Sequence, residues 1–197
     1  MGFLRSLNPH LPRSVQTLQV GGLANAFGNG IVLPFTFIYL HNVRGIGLGT
    51  IGLILATNGA VSLGSGAFAG TLVDRVGGKR VLAVALALLA AGYSLYAFVH
   101  QPWQGFLAAA VTGLGNGAFW PAQSTLIANL TPESKRTPAF AMQRVVGNLG
   151  VGIGALTGGL IASTSHPRSF PLLFLLDGAT FLVYLTEIGR ASCRERV

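Results

Sequence analysis

Six apolar stretches, each about as long as a bilayer is thick, fill most of this chain and leave nearly all of its charge in the gaps between them. A hydrocarbon core about 30 Å deep calls for roughly 17 to 25 apolar residues per helix. The stretches are Thr17–Tyr39, Thr50–Val73, Val81–Val99, Phe106–Leu130, Ala139–Ser163 and Phe170–Thr186. They predict an all-α membrane protein, a bundle of six transmembrane helices. Because several connections are under ten residues, consecutive helices are expected to be antiparallel neighbours.

Composition agrees and excludes other classes. Only 9% of the 197 residues are charged and 51% are apolar, whereas about 25% are charged in a soluble domain. A net charge of +8 would suit nucleic acid if it were gathered on a water-facing surface. Here the Lys and Arg residues separate apolar blocks instead, so nucleic acid is not an expected partner. A single cysteine, Cys193, excludes a disulfide framework and a zinc cluster, and nothing calls for a metal or cofactor. The N-terminus is polar for a dozen residues and lacks the apolar core of a secretory signal. Two short patterns are discounted as chance. Met1–Ser6 fits N-myristoylation, and Gly47–Gly52 fits a dinucleotide fingerprint that no buried strand precedes.

Loop Lys and Arg resist translocation and so mark the cytoplasmic side. With a cytoplasmic N-terminus, that side receives Arg5, Arg13, Arg75, Lys79, Arg80, Lys135, Arg136 and, near the mouth of the fifth helix, Arg144. The other side receives Arg44 and Arg168. Both termini are therefore expected in the cytoplasm. Glycines recur at four-residue spacing inside the spans: Gly66 with Gly70, Gly113 with Gly117, and Gly150 with Gly154 and Gly158, followed by Gly159. Such spacing aligns small residues on one helix face and lets backbones approach closely.

Between the second and third spans runs Gly70-Thr71-Leu72-Val73-Asp74-Arg75-Val76-Gly77-Gly78-Lys79-Arg80. This segment resembles the G-x-x-x-D-R-x-G-x-[KR]-R loop signature of the major facilitator superfamily. Gly70 would allow close packing at the helix end, Gly77 a tight turn, and Arg75, Lys79 and Arg80 would hold the loop in the cytoplasm. The resemblance implies that Asp74 latches one transport state by lying near a helix N-terminus of the other half, where the macrodipole favours a carboxylate. The alternative is a local ion pair with Arg75 or Lys79, worth about 0–1 kcal/mol.

Looser likenesses follow. Asn25, Asn29 and Pro34 resemble the family's polar, Pro-containing first helix, and Gly150–Gly159 is similar to the fifth-helix glycine run of drug/proton antiporters, with Ala155 in place of its proline. Ala109 stands where the family's fourth helix carries an arginine linked to proton coupling. The resemblance implies the N-terminal half of a twelve-helix fold, in a drug-efflux-like bacterial member that moves a small molecule by alternating access about a midplane site. Residues 1–16 would be a cytoplasmic segment and 17–186 the six-helix unit. The partners implied are the lipid bilayer of the plasma membrane, a small-molecule substrate, protons, and the C-terminal half of the same protein. Residues 187–197 abandon the membrane composition. They read as a non-native tail, since a common sequencing adapter translated in frame yields residues 188 to 197; a basic cytoplasmic linker is the alternative.

Chemistry inside the spans rests on a few polar side chains, which are costly in lipid and so mark function or packing. They are Asn25, Asn29, Asn58, Asn116, Gln123, Gln143, Arg144, Asn148 and Asp177. Each amide can be interhelical glue or a substrate contact. Arg144 either snorkels to the interface or faces a cavity. Asp177 is either a proton carrier or structural packing, near the outer end of the sixth helix. The four histidines fall in terminal or loop regions, and no catalytic constellation forms, so an enzyme is not expected. A non-transporting scaffold or receptor, and a homodimeric six-helix carrier, are the other functional classes.

Overall fold

The computed structural model describes residues 11–162 and 169–193, and among these every regular element is helical. Helix α1 (Arg13–Val32) breaks at Leu33 and Pro34, then resumes as Phe35–Ile38 and a π-helical turn, Tyr39–Val43. It is followed by α2 (Leu48–Val76), α3 (Gly78–Ala97), α4 (Pro102–Leu130), a 3-10 turn (Glu133–Lys135), α5 (Arg136–Ile161) and α6 (Ser169–Cys193).

Local chemistry sets several of these boundaries. Pro34 has no N–H and crowds the preceding turn, so α1 closes with the Leu33 N–H donating to the Asn29 carbonyl at 2.9 Å. Gly77 alone joins α2 to α3 at a φ of +88°, a left-handed conformation that glycine adopts without strain. This bears out the tight turn expected there. At the start of α4, Gln104 Oε1 accepts from the backbone N–H groups of His100 and Gln101 at 2.6 and 2.9 Å. Pro102 fills the first helical position, where its missing N–H costs nothing.

All six expected spans are present, and most of the helices outrun them by a few residues. Thr186 is not a helix end: α6 runs on through Cys193 and Ile188 is buried, so the helix includes the beginning of the segment read as a tail. Arg5, Ser163, His166 and Arg168 lie outside the described residues. Among the described residues five stretches are long and apolar enough to cross a membrane: Ser14–Val43, Leu48–Val76, Gly78–Ala97, Glu133–Ile161 and Ser169–Gly189. Helix α4 is as long as α2, but Gln104, Asn116, Gln123 and several glycines dilute its hydropathy.

The expectation that consecutive helices are neighbours needs correction. The extensive contacts pair α2 with α4, α4 with α3, α3 with α6, α6 with α1, and α1 with α5, while α1 and α2 share no extended interface. The helices thus form an arc, α2–α4–α3–α6–α1–α5, and exchanging each of the first three with its counterpart among the last three reproduces the same pairings. Small-residue faces choose the partners, not loop length. A Cβ on Gly150, Gly154 or Gly158 would strike the α1 backbone at Leu23, Phe27 and Ile31. Gly113 and Gly117 approach Asn58 and Ser62 of α2 in the same way, with Gly66 level with Gly117. Gly70 departs from the pattern, since nothing lies within 4 Å of where its Cβ would be. It is exposed, and its lack of a side chain serves no close contact within this chain.

Two apolar clusters form the core, one at each end of the bundle. The first gathers Leu18, Val73, Leu82, Ile127, Ala139 and Tyr184. The second gathers Tyr39, Ile54, Tyr96, Ala109, Phe170 and Phe174, with Tyr39 stacked on Phe170 at 5.9 Å and Tyr96 on Phe174 at 5.5 Å. Arg44 caps this end: its Nε donates to the Tyr39 hydroxyl at 2.8 Å. Between the clusters, at mid-height, the helices present polar side chains.

A candidate solute cavity

A cavity of about 960 Å³ opens in the concave side of the arc. Its walls are stripes at helical spacing: Gln19, Gly22, Asn25, Ala26, Asn29 and Leu33 on α1; Thr112, Asn116, Phe119, Trp120 and Gln123 on α4; Phe140, Gln143, Arg144, Gly147, Asn148 and Val151 on α5. Helix α2 adds Leu55 and Asn58, and Leu89, Tyr93 and Tyr96 of α3 with Phe181 of α6 form the floor. Eight of the nine intramembrane polar residues singled out from the sequence line this space: Asn25, Asn29, Asn58, Asn116, Gln123, Gln143, Arg144 and Asn148.

The polar lining divides by what it bonds to. One set ties helices together. Gln19 Nε2 donates to the Ala139 carbonyl at 3.1 Å, joining α1 to α5. Asn58 Nδ2 donates to Thr112 Oγ1 at 2.7 Å and to the Ala109 carbonyl at 3.1 Å, joining α2 to α4. Gln143 Nε2 donates to Gln123 Oε1 at 2.5 Å, and Gln123 Nε2 to the Tyr184 hydroxyl at 2.9 Å, a relay across α5, α4 and α6. At mid-height the amides of Asn29 and Asn116 reach the Tyr93 hydroxyl. A second set has no partner among the described residues: Arg144 and Asn148 are exposed, and the buried Asn25 Nδ2 lacks an acceptor.

Arg144 therefore faces the cavity and is not a loop charge, although it stands only eight residues into α5. Asp177 behaves otherwise, and its expected place near the outer end of the sixth helix needs correction. It is fully buried and does not line the cavity. It also does not sit at a wetted outer end, because α6 begins at Ser169 and the aromatic cluster of Phe170, Phe174, Tyr39 and Tyr96 closes that end above it. Its Oδ1 lies 3.4 Å from Thr180 Oγ1, its Oδ2 has no partner, and Gly28 of α1 makes room for both side chains.

The loop signature is remote from this space. Asp74, Arg75 and Arg80 are exposed at the α2–α3 turn and Lys79 is half-buried. No ion pair joins Asp74 to Arg75 or Lys79 among the described residues. The cavity residues that the sequence gave no reason to single out are Gln19, Tyr93, Tyr96, Thr112 and Trp120; the period of three to four with Asn25 and Asn116 was the available signal for Gln19, Thr112 and Trp120.

The sequence profile of the Major Facilitator Superfamily matches residues 18–189. The chain belongs to the Major Facilitator Superfamily. Among relatives, the uncharacterized MFS-type transporter YttB of Bacillus subtilis is 30% identical over 175 residues, covering 88% of this chain and 43% of that protein. Multidrug resistance protein MdtH of Yersinia enterocolitica is 32% identical over 141 residues, covering 72% of this chain and 35% of that protein. The chain thus spans less than half the length of these relatives. The crystal structure of tetrameric PepTSo2 superposes with a TM-score of 0.79 at 22% identity, covering 91% of this chain and 40% of that one, and shows the shared fold. Like other superfamily members this is a multi-pass membrane protein, and the arc of helices is one six-helix unit of the superfamily fold.

Proposed function

We propose that this unit forms half of the pathway of a secondary transporter, moving an amphipathic small molecule across the bacterial inner membrane by alternating access, outward as a drug-like efflux substrate. The observation that carries this reading is the one-sided cavity, polar and aromatic at once, bounded by helices whose outer faces are unpartnered. Ligand sites of a few hundred to about 1,000 Å³ with a few placed polar groups are the usual form for small molecules. Helices α2 and α5 flank the opening and are mostly exposed. Gly52, Gly59, Gly64 and Gly70 on α2 and Gly147 and Gly152 on α5 meet nothing within 4 Å. A second six-helix unit, from the same polypeptide or another copy, would cover these faces and close the cavity.

Orientation follows from charge. The end of the bundle that holds the start of α1 also carries Arg75, Lys79, Arg80, Lys135 and Arg136, while Arg44 lies at the opposite end, which supports a cytoplasmic N-terminus. Efflux itself is supported by the likeness to multidrug resistance proteins. Expressed from its complete gene in a bacterium stripped of its own efflux pumps, the protein should lower steady-state accumulation of at least one amphiphilic dye by about threefold or more. Bulky Asn116→Leu, placed in the cavity wall, should restore accumulation. Accumulation unchanged across dyes of all charges, with the protein present in the membrane, would refute export.

A further inference from the structure

We infer that the cavity recognises an aromatic solute carrying an oxyanion, with Arg144 as its counter-charge. This deepens the transport reading and rests on it. The first support is the charge inventory. Among the residues that line the cavity Arg144 is the one ionised side chain, and no carboxylate faces it. The acid of the helix interior, Asp177, is fully buried outside the lining and offers no surface for a solute to contact.

The second support is independent and concerns what is left unsatisfied. Arg144 offers guanidinium donors and no acceptor, and no group among the described residues accepts from it. Asn25 Nδ2 is also a donor without a partner, on a side chain that is 7% exposed in the cavity wall. The unfilled valences of the cavity therefore ask for acceptors. A guanidinium meets a carboxylate, sulfonate or phosphate oxygen pair with matching geometry. Helices α1 and α5 run in the same direction, with Gly150 against Leu23 and Ala26, so Asn25 stands level with Gly150 and about six residues of helix rise, about 9 Å, above Arg144. A solute of two fused rings spans that interval.

The rest of the wall supplies the aromatic half of the specification. Tyr93, Tyr96, Phe119, Trp120, Phe140 and Phe181 present ring surface to the space, and Trp120 is 62% exposed. Flat apolar surface next to a single cation selects planar aromatic anions over aliphatic anions, which lack ring faces to stack, and over cations, which Arg144 repels.

The test uses the whole transporter, purified in detergent, with two size-matched probes, 2-naphthoate and 2-naphthylmethylammonium, and equilibrium binding read from naphthalene fluorescence. Wild-type protein should bind the anion about tenfold or more tightly than the cation, as expected for one charge pair in a partly wetted cavity. Arg144→Gln should reduce that preference to about twofold or less, Arg144→Lys should retain most of it, and Arg144→Glu should reverse it. Because Arg144 has no partner among the described residues, these variants should stay monodisperse. Equal or tighter binding of the cation by wild type, naphthoate affinity unchanged in Arg144→Gln, or no binding of either probe by monodisperse protein would each overturn the inference. Transport is read separately, by whether the cavity opens to both membrane faces, so the inference can fail while that reading stands.

Discussion

Leucine at Gly154 should abolish most of the folded protein. The Cβ of any larger residue there would occupy the position of the Phe27 carbonyl on α1, with Gly30 next to it, so α1 and α5 must separate along their length. Overpacking a single side chain in a core costs about 1–3 kcal/mol. Here the obstacle is backbone, which cannot swing aside, and the loss should lie at or above the top of that range. The measurement is the yield of monodisperse protein in mild detergent with its thermal unfolding midpoint. Leu160→Ile on the same helix is the control: Leu160 is 89% exposed and its exchange should change stability by no more than about 0.5 kcal/mol. A Gly154→Leu protein as stable as wild type would mean that α1 and α5 do not pack as described.

The second large effect should appear at Asp74 and should leave folding intact. Its carboxylate is exposed and makes no ion pair with the neighbouring basic residues among the described residues, so the local-pair alternative has no contact to lose. If the carboxylate instead engages a helix N-terminus of a second unit in one transport state, the stake is up to about 2 kcal/mol. That shifts a two-state equilibrium by up to about thirtyfold. Asp74→Asn, similar in shape and neutral, should thus cut transport by about tenfold while membrane abundance on an immunoblot stays near wild type. Normal transport by the variant would remove the latch.

The helices were legible in the sequence because lipid imposes the strongest local rule available: long apolar runs with charge in the gaps. Gly77 was legible for a similar reason, since the turn between two long helices demanded a residue free of Cβ. Partner choice was not legible from connection length. It was legible in part from Gly113, Gly117, Gly150, Gly154 and Gly158, whose spacing announces close faces without saying which helix fills them. Gly70 shows the limit of that rule, as a small residue of the same spacing that faces outward.

In the cavity, the intramembrane amides pointed to the right helices because a buried amide needs a reason. Whether each was a tie or a free contact depended on its partner, which only the fold supplies: Gln123 and Gln143 bond each other, while Asn148 and Arg144 have no partner among the described residues. Tyr93 and Tyr96 were invisible because an aromatic in an apolar helix carries no sign of which way it faces. Asp177 was misplaced because its helix was expected to start one residue later and to end near Thr186, and because no pattern foretold the aromatic lid over it.

The account rests on the cavity being reached from each side of the membrane in turn. The direct measurement places a single cysteine at Asn148 in an otherwise cysteine-free form of the whole transporter, and follows its reaction with a membrane-impermeant maleimide in right-side-out and in inside-out vesicles. The account predicts labelling from both faces, each slowed when the protein is held in the state open to the opposite face. Labelling from one face alone, under every condition that alters the conformational balance, would show a fixed pocket and contradict transport by alternating access.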